Sequence, residues 1–469
     1  MPKSALLKLA VEKRQQLFYV TLFLISSQIS AAQPSTPKFE TYQYINSRQF
    51  SPIGQSPIPN QGKPIIANDP YAEQNRKILQ STGMTVPGPS NSQPSQESED
   101  DPEERGNHPN MAITAYPAIN AFQANFQEFL QLNPDSFSIT RAVYLSESAF
   151  YDKSTLPSFK VFQIAIKKRS ELVKQILRRE GLDDKDNMSL NYAIQKLYNS
   201  SNEYFDTTTG HNYWVEKMKY DFDDFMGDND WTKMYVNKLL HTGSGQCHSL
   251  PLLYLCLAEQ LHVKAYLSLA PNHSFIQYFD SAGNRYNFET TNGYLVSQTW
   301  LAGSNFVTAG AIRNKTYLDT LSSRRLYAQC LADLLLSYLM KVRHYDEFSY
   351  RIMKTILNVD PTNTTALMEQ ANLKYLIFQR ELKIAGNPSQ QDFVKYPRLY
   401  NAFREYQYSQ KKVEQTGFEE MPKEMYQQWL KTLDSEKRKQ ENQLEQERME
   451  HELKKLKKWP QKLINNNPN

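Results

Sequence analysis

Three residues of this chain have types and spacing suited to nucleophilic chemistry: Cys247, His273 and Glu289. Cys247 lies in Thr242-Gly-Ser-Gly-Gln-Cys-His-Ser-Leu-Pro251, ahead of an apolar run through Leu252, Leu253, Leu255, Leu257, Ala258 and Leu261. Glycines 243 and 245 give a flexible approach. Pro251 fits the first turn of a helix, where the missing N–H has no partner to lose. The spacing predicts a central buried helix with Cys247 at or just before its start. Unpaired N–H groups and the helix dipole favour negative charge there, the setting in which a cysteine acts as a thiolate. Such a nucleophile needs a base to carry its proton, and the base needs an orienting group.

The segments downstream supply both. Val263–Leu269 reads as a strand. His273-Ser-Phe-Ile-Gln-Tyr-Phe279, the turn Asp280-Ser-Ala-Gly-Asn284 and Arg285-Tyr-Asn-Phe-Glu289 read as an antiparallel hairpin. With its midpoint at 281, His273 and Glu289 fall opposite each other, their Cβ atoms about 5 Å apart. A carboxylate there accepts the imidazole N–H, fixes the tautomer and stabilises the imidazolium.

The other candidate groups read as structural. Cys256 lies nine residues after Cys247, roughly 13 Å along a straight helix, too far for a disulfide. Cys256 and Cys330 fit as small core hydrophobes. His241, Cys247 and His248 match no usual zinc spacing. His108, His211, His262, His344 and His451 read as surface or capping residues. Nothing calls for a metal, nucleotide or other cofactor.

The motifs Gly-Gln-Cys-x-Ser-x-x-x-x-Tyr-x-x-x-Ala at 245–258, Asn-His-Ser-Phe at 272–275 and Tyr-Asn-Phe-Glu-Thr-Thr-Asn-Gly at 286–293 resemble the transglutaminase-like superfamily. The nearest likeness is to its bacterial branch with tetratricopeptide-type helices after the core. The resemblance covers roughly 206–310 and is strongest at 240–293. It implies a papain-like core, Cys247 as nucleophile and His273 as base. Glu289 stands where the family usually has Asp, one methylene shorter. Animal members use a Trp upstream of the cysteine to assist the oxyanion. Trp214 and Trp231 are both upstream here and neither aligns, so the Cys247 backbone N–H is the expected oxyanion donor. Calcium activates some animal members, but no acidic loop here would carry that property over.

These residues need a scaffold, and the composition allows one. The chain has 469 residues and a net charge of +4, with 40% hydrophobic and 22% charged residues. That excludes a wholly disordered chain and a polytopic membrane protein. The charge is too balanced to imply nucleic-acid binding. Three cysteines are too few for a disulfide scaffold.

Residues 1–32 read as a signal peptide: basic residues through Arg14, an apolar run Leu17–Ile25, then Ser30-Ala31-Ala32. The run is too short to span a ~30 Å hydrocarbon core. This predicts a secreted or periplasmic protein, cut near Ala32, with no transmembrane span in the mature chain. Residues 33–112 hold 12 of the 24 prolines and an acidic Ser/Gln/Glu tract, and read as a disordered linker. Residues 113–205 show helical periodicity at Phe122, Phe126, Phe129 and Leu130, over Ser158–Arg179, and near Leu190–Leu197. Residues 206–310 form the expected transglutaminase-like catalytic core. Residues 315–385 carry two apolar helices, an Asp360-Pro361 join and a third helix, the cadence of about one and a half tetratricopeptide units. That is too few to stand alone, so an appendage packed on its neighbours is expected. Residues 395–460 form a charged tail, expected from Glu419 onward as one solvated helix with no sustained heptad.

The expected fold class is therefore α+β: a papain-like core between a helical N-terminal unit and tetratricopeptide-like helices. Two functions fit. One is thiol acyl transfer or amide hydrolysis on a protein or peptide substrate through Cys247, His273 and Glu289. The other is a silent scaffold that binds a protein partner through the helical repeats.

Overall fold

The computed structural model describes residues 111–151, 157–225, 227, 229–419 and 421–458. The expected signal peptide, all but the last two residues of the expected linker, and His108 lie outside the described residues.

Four helices open the described chain: α1 (Met111–Phe129), α2 (Ile139–Ser148), α3 (Phe159–Glu180) and α4 (Asn187–Asn199). Side-chain oxygens of Ser138, Ser158 and Asp186 cap the last three by accepting backbone N–H groups of Arg141, Val161 and Ser189. Phe122, Phe126 and Phe129 are buried, as their spacing implied, but Leu130 lies past the helix end and is exposed. Helix α2 has no such stripe: its Ser146, Glu147 and Ser148 are buried polar groups.

The middle of the chain alternates. Strands β1 (Asn202–Asp206) and β2 (His211–Val215) form an antiparallel hairpin, so the all-helical unit expected up to 205 ends at Asn199. Strand β3 (Lys219–Tyr220), a 3-10 turn at Trp231–Met234, helix α5 (Val236–Thr242), strand β4 (Ser244–Gly245) and helix α6 (Ser249–Leu261) follow. Strands β3 and β4 pair in parallel. Then β5 (Tyr266–Ala270), β6 (His273–Phe279), β7 (Arg285–Glu289) and β8 (Tyr294–Val296) make a four-stranded antiparallel meander.

Seven helices complete the described chain: α7 (Gln298–Ser304), α8 (Ala309–Arg313), α9 (Ser323–Val342), α10 (Glu347–Val359), α11 (Thr364–Ile384), α12 (Pro397–Gln415) and α13 (Lys423–Lys458). The architecture is mixed α+β, mainly helices with small sheets.

Helix α6 sits at the centre because it is apolar on every side from Leu250 to Ala258. It packs against α2, α3, α4, α5 and strands β5 and β6. Helix α9 is just as enclosed: every residue from Leu326 to Met340 is buried. One hydrophobic cluster runs from Phe122 to Leu376 and includes both helices. Helices α9 and α10 and part of α11 therefore share the main core, so this region packs on its neighbours. An all-round apolar helix has no solvent face, so it cannot stand at the rim. The 395–460 tail also divides. Helix α12 buries Leu399, Ala402 and Tyr406 against Phe378 and Phe393, and only α13 is the highly charged helix. Among the described residues, no helix is long and apolar enough to cross a membrane.

Candidate active site

The nucleophile's position is fixed by the residues just before α6. Lys219 N–H and Asp221 N–H donate to Gly243 O (3.0 Å) and Gly245 O (2.9 Å), so β3 holds the glycine approach. Gln246 Nε2 donates to Asp221 O (2.8 Å). Gln246 N–H donates to Ser249 Oγ (2.9 Å), which turns the chain into the helix. Gly245 is needed here: a Cβ would lie 2.7 Å from Ser249 Oγ.

Cys247 is fully buried one residue before the helix N-cap, His248. Its carbonyl accepts from Ser274 Oγ (2.6 Å). Its thiol points at Asn272 O (3.8 Å) and lies near enough to the His273 side chain to favour charge on that ring. Asn272 takes φ +57°, ending the β5–β6 turn so that His273 starts β6 beside the cysteine.

His273 and Glu289 meet, with Nε2 and Oε2 2.5 Å apart. The carboxylate thus takes Nε2, and Nδ1 is the nitrogen left for the sulfur. The hairpin register differs from the one expected. Phe279 pairs with Arg285 and Ile276 with Phe288, so the midpoint is 282. His273 and Glu289 are diagonal neighbours on one face, and diagonal Cβ separations run to about 7–8 Å. The loop Asp280–Asn284 closes through Asp280 N–H to Asn284 O (3.1 Å), which sets this register. The glutamate's extra methylene spans the diagonal. Its other oxygen, Oε1, accepts from Thr291 N–H (3.0 Å) and Thr291 Oγ1 (2.8 Å). The turn that positions Thr291 needs Gly293 at φ +78°, where a Cβ would stand 2.7 Å from Tyr198 O.

All three side chains are shielded from solvent; those of His273 and Glu289 are 3% and 1% exposed. Burial opposes charge on the imidazole, but the Glu289 carboxylate and the Cys247 sulfur outweigh it, and its pKa rises to about 10. The arrangement favours the charged imidazolium of His273. Burial pushes the Cys256 and Cys330 thiols well up, which keeps them inert.

Some contributors were not legible in the sequence. Tyr220 is buried, and its phenol is held protonated by burial and by the nearby Cys247, Asp221 and Glu289. Its strand has two residues, too short for any periodicity. On α9, the polar residues Gln329, Asp333 and Ser337 recur every four positions in an otherwise apolar helix, a stripe that the spacing could have revealed. Two small clefts meet it. One is lined by Glu147, Trp231, Tyr235, His248, Asp333 and Ser337. The other is lined by Asn272, Tyr317, Gln329, Thr364 and Thr365. His248 Nε2 lies 3.5 Å from Asp333 Oδ2, and burial holds His248 neutral with a pKa near 3.

Trp214 stacks on His451 (ring centroids 4.0 Å apart), and Trp231 lines the first cleft. His451 is therefore packed rather than a plain surface group. His262 caps α6 in the left-handed region, as a capping residue should. Among the described residues no group of three His, Cys, Asp or Glu side chains is arranged to hold a metal. No protein-family model matches this chain, no curated protein matches it, and no solved structure matches it.

Proposed function

We propose that this protein performs thiol acyl transfer on protein or peptide substrates. Cys247 Sγ attacks a carboxamide or peptide carbonyl carbon as a thiolate, its proton already resting on the His273 imidazolium. The Cys247 backbone N–H donates to the developing oxyanion. The imidazolium then protonates the departing nitrogen, leaving a thioester. A water or amine attacks that thioester, gives its proton to His273, and the thiolate is restored. Water as acceptor makes the enzyme a peptidase or deamidase. A lysine amine makes it a cross-linker.

What supports the reading is convergence: the thiol, imidazole and carboxylate come from a helix start and two adjacent strands, with the carboxylate bonded to the imidazole and the sulfur close beside the ring. The transglutaminase-like motifs give the same order and roles. In keeping with the N-terminal segment, the proposed place of action is outside the cytoplasmic membrane.

A silent scaffold, binding protein through the 323–384 helices, is favoured by one observation: Cys247 has no exposed surface. A glutamine-bearing peptide library, with and without a primary amine, separates the two. Release of ammonia or amine by the wild-type chain and none by Cys247→Ala supports acyl transfer. Equal activity in both chains, or none in either, leaves the scaffold.

A further inference from the structure

A buried cysteine can act only if something yields, and α13 bears on the element beside it. Strand β3 spends its inner hydrogen bonds on β4, through Lys219 and Asp221. Tyr220, between them, points its N–H and C=O to the outer edge. There the carboxamide of Gln440 takes both groups: Tyr220 N–H donates to Gln440 Oε1 (2.8 Å), and Gln440 Nε2 donates to Tyr220 O (2.9 Å). A residue of an added antiparallel strand would exchange the same two bonds with Tyr220. One primary amide thus stands in for a peptide backbone.

The edge lies next to the chemistry. Tyr220 is paired with Gly245, two residues before Cys247, and its phenol is within electrostatic reach of both Cys247 and Glu289. The occupant is held in a way that lets it leave. Among the described side chains of α13 only Leu444 is buried. Beside the Trp214–His451 stack and the half-buried Leu433, its contacts are polar: Lys437 with Asp223, Gln443 with Lys217, Glu447 with Ser201, and Arg448 with Glu216. The exposed pairs among these, Lys437 with Asp223 and Arg448 with Glu216, contribute little each and weaken with salt.

We propose that the outer edge of β3 at Tyr220 is the subsite that pairs with the backbone of an extended peptide substrate, and that Gln440 fills it in the resting chain. Edge addition is a general mode of peptide recognition, in which main-chain bonds give affinity irrespective of side chain. The inference rests on the acyl-transfer reading for its substrate class, and it narrows that class to segments able to lie extended.

The test is binding, so it does not depend on turnover. In the full chain carrying Cys247→Ala, with and without Gln440→Ala, the probe is a fluorescent extended glutamine-bearing peptide. Its analogue methylated at alternate backbone nitrogens, which cannot pair with a strand edge, is the control. Freeing the edge should tighten the plain peptide about tenfold, the scale of one net hydrogen bond, and leave the methylated one unchanged. Gln440→Glu, which keeps the side-chain length and loses the donor to Tyr220 O, should act in the same direction. Equal affinity with and without the substitution, an equal gain for both peptides, or no binding of either peptide overturns the proposal. Absence of turnover in the wild-type chain with the binding difference intact would remove acyl transfer alone.

Discussion

Glu289 reaches His273 across a diagonal of the β6–β7 hairpin, not along a rung. The distinction decides which acid can serve. Directly opposite, an aspartate would suffice. On the diagonal the longer side chain is needed, and Thr291 fixes its far oxygen. Glu289→Asp should therefore lower kcat on the order of 10²-fold, the effect of a misplacement near 1 Å, despite keeping the charge. Steady-state kinetics on a peptide substrate checks it, and an aspartate variant as fast as wild type would refute the diagonal account.

Cys247 should react with iodoacetamide faster than Cys256 or Cys330 at neutral pH. Burial pushes the latter two thiols well up, and neither is paired with an imidazole. Mass spectrometry of a partly labelled sample reads the order directly. Cys247→Ala should lose activity on the order of 10³-fold or more. Labelling no faster than at Cys330 argues against a thiolate nucleophile.

The His273 imidazolium links stability to pH. Its folded pKa is raised, to about 10, against an ordinary value near 6.5. Its contribution is fully present below about pH 6.5 and lost as pH rises through about 10. The wild-type Tm should fall across that interval by more than the Tm of His273→Gln. Parallel curves for the two chains would show that no stabilised imidazolium exists.

Glu147 gives a second window. It is fully buried, and burial pushes its carboxyl up to about 8 even though Val236 and Asn237 N–H groups donate to it. A raised acid contributes stability below about pH 4.5 that is lost as pH rises through about 8. Glu147→Gln should flatten the stability curve over that interval. Urea titrations at pH 5 and pH 8 measure the difference, and an unchanged slope would mean that the carboxyl ionises freely.

Gly245→Ala should destabilise the chain by about 1–3 kcal/mol, because the new Cβ meets Ser249 Oγ at 2.7 Å. It should also slow Cys247 alkylation, since Ser249 anchors the Gln246 N–H just before the cysteine. Denaturant unfolding and labelling rates read the two effects, and normal labelling in a destabilised chain would uncouple them.

The amino-acid sequence alone determined the local pieces. Caps, apolar spacing and turn residues marked most of the helices and the hairpin, and residue type with order singled out Cys247, His273 and Glu289. Local rules reach that far because helix and hairpin periodicity depend on neighbours a few positions apart. The tertiary structure decided the rest. Register depends on which loop residues close the turn, so the hairpin midpoint moved to 282. The place of α9 depends on what surrounds it, so only the packing puts it inside the main core. Tyr220 and Gln440, 220 positions apart, meet only because a charged helix folds back on a two-residue strand. No sequence period records such a contact, because packing between distant segments sets it.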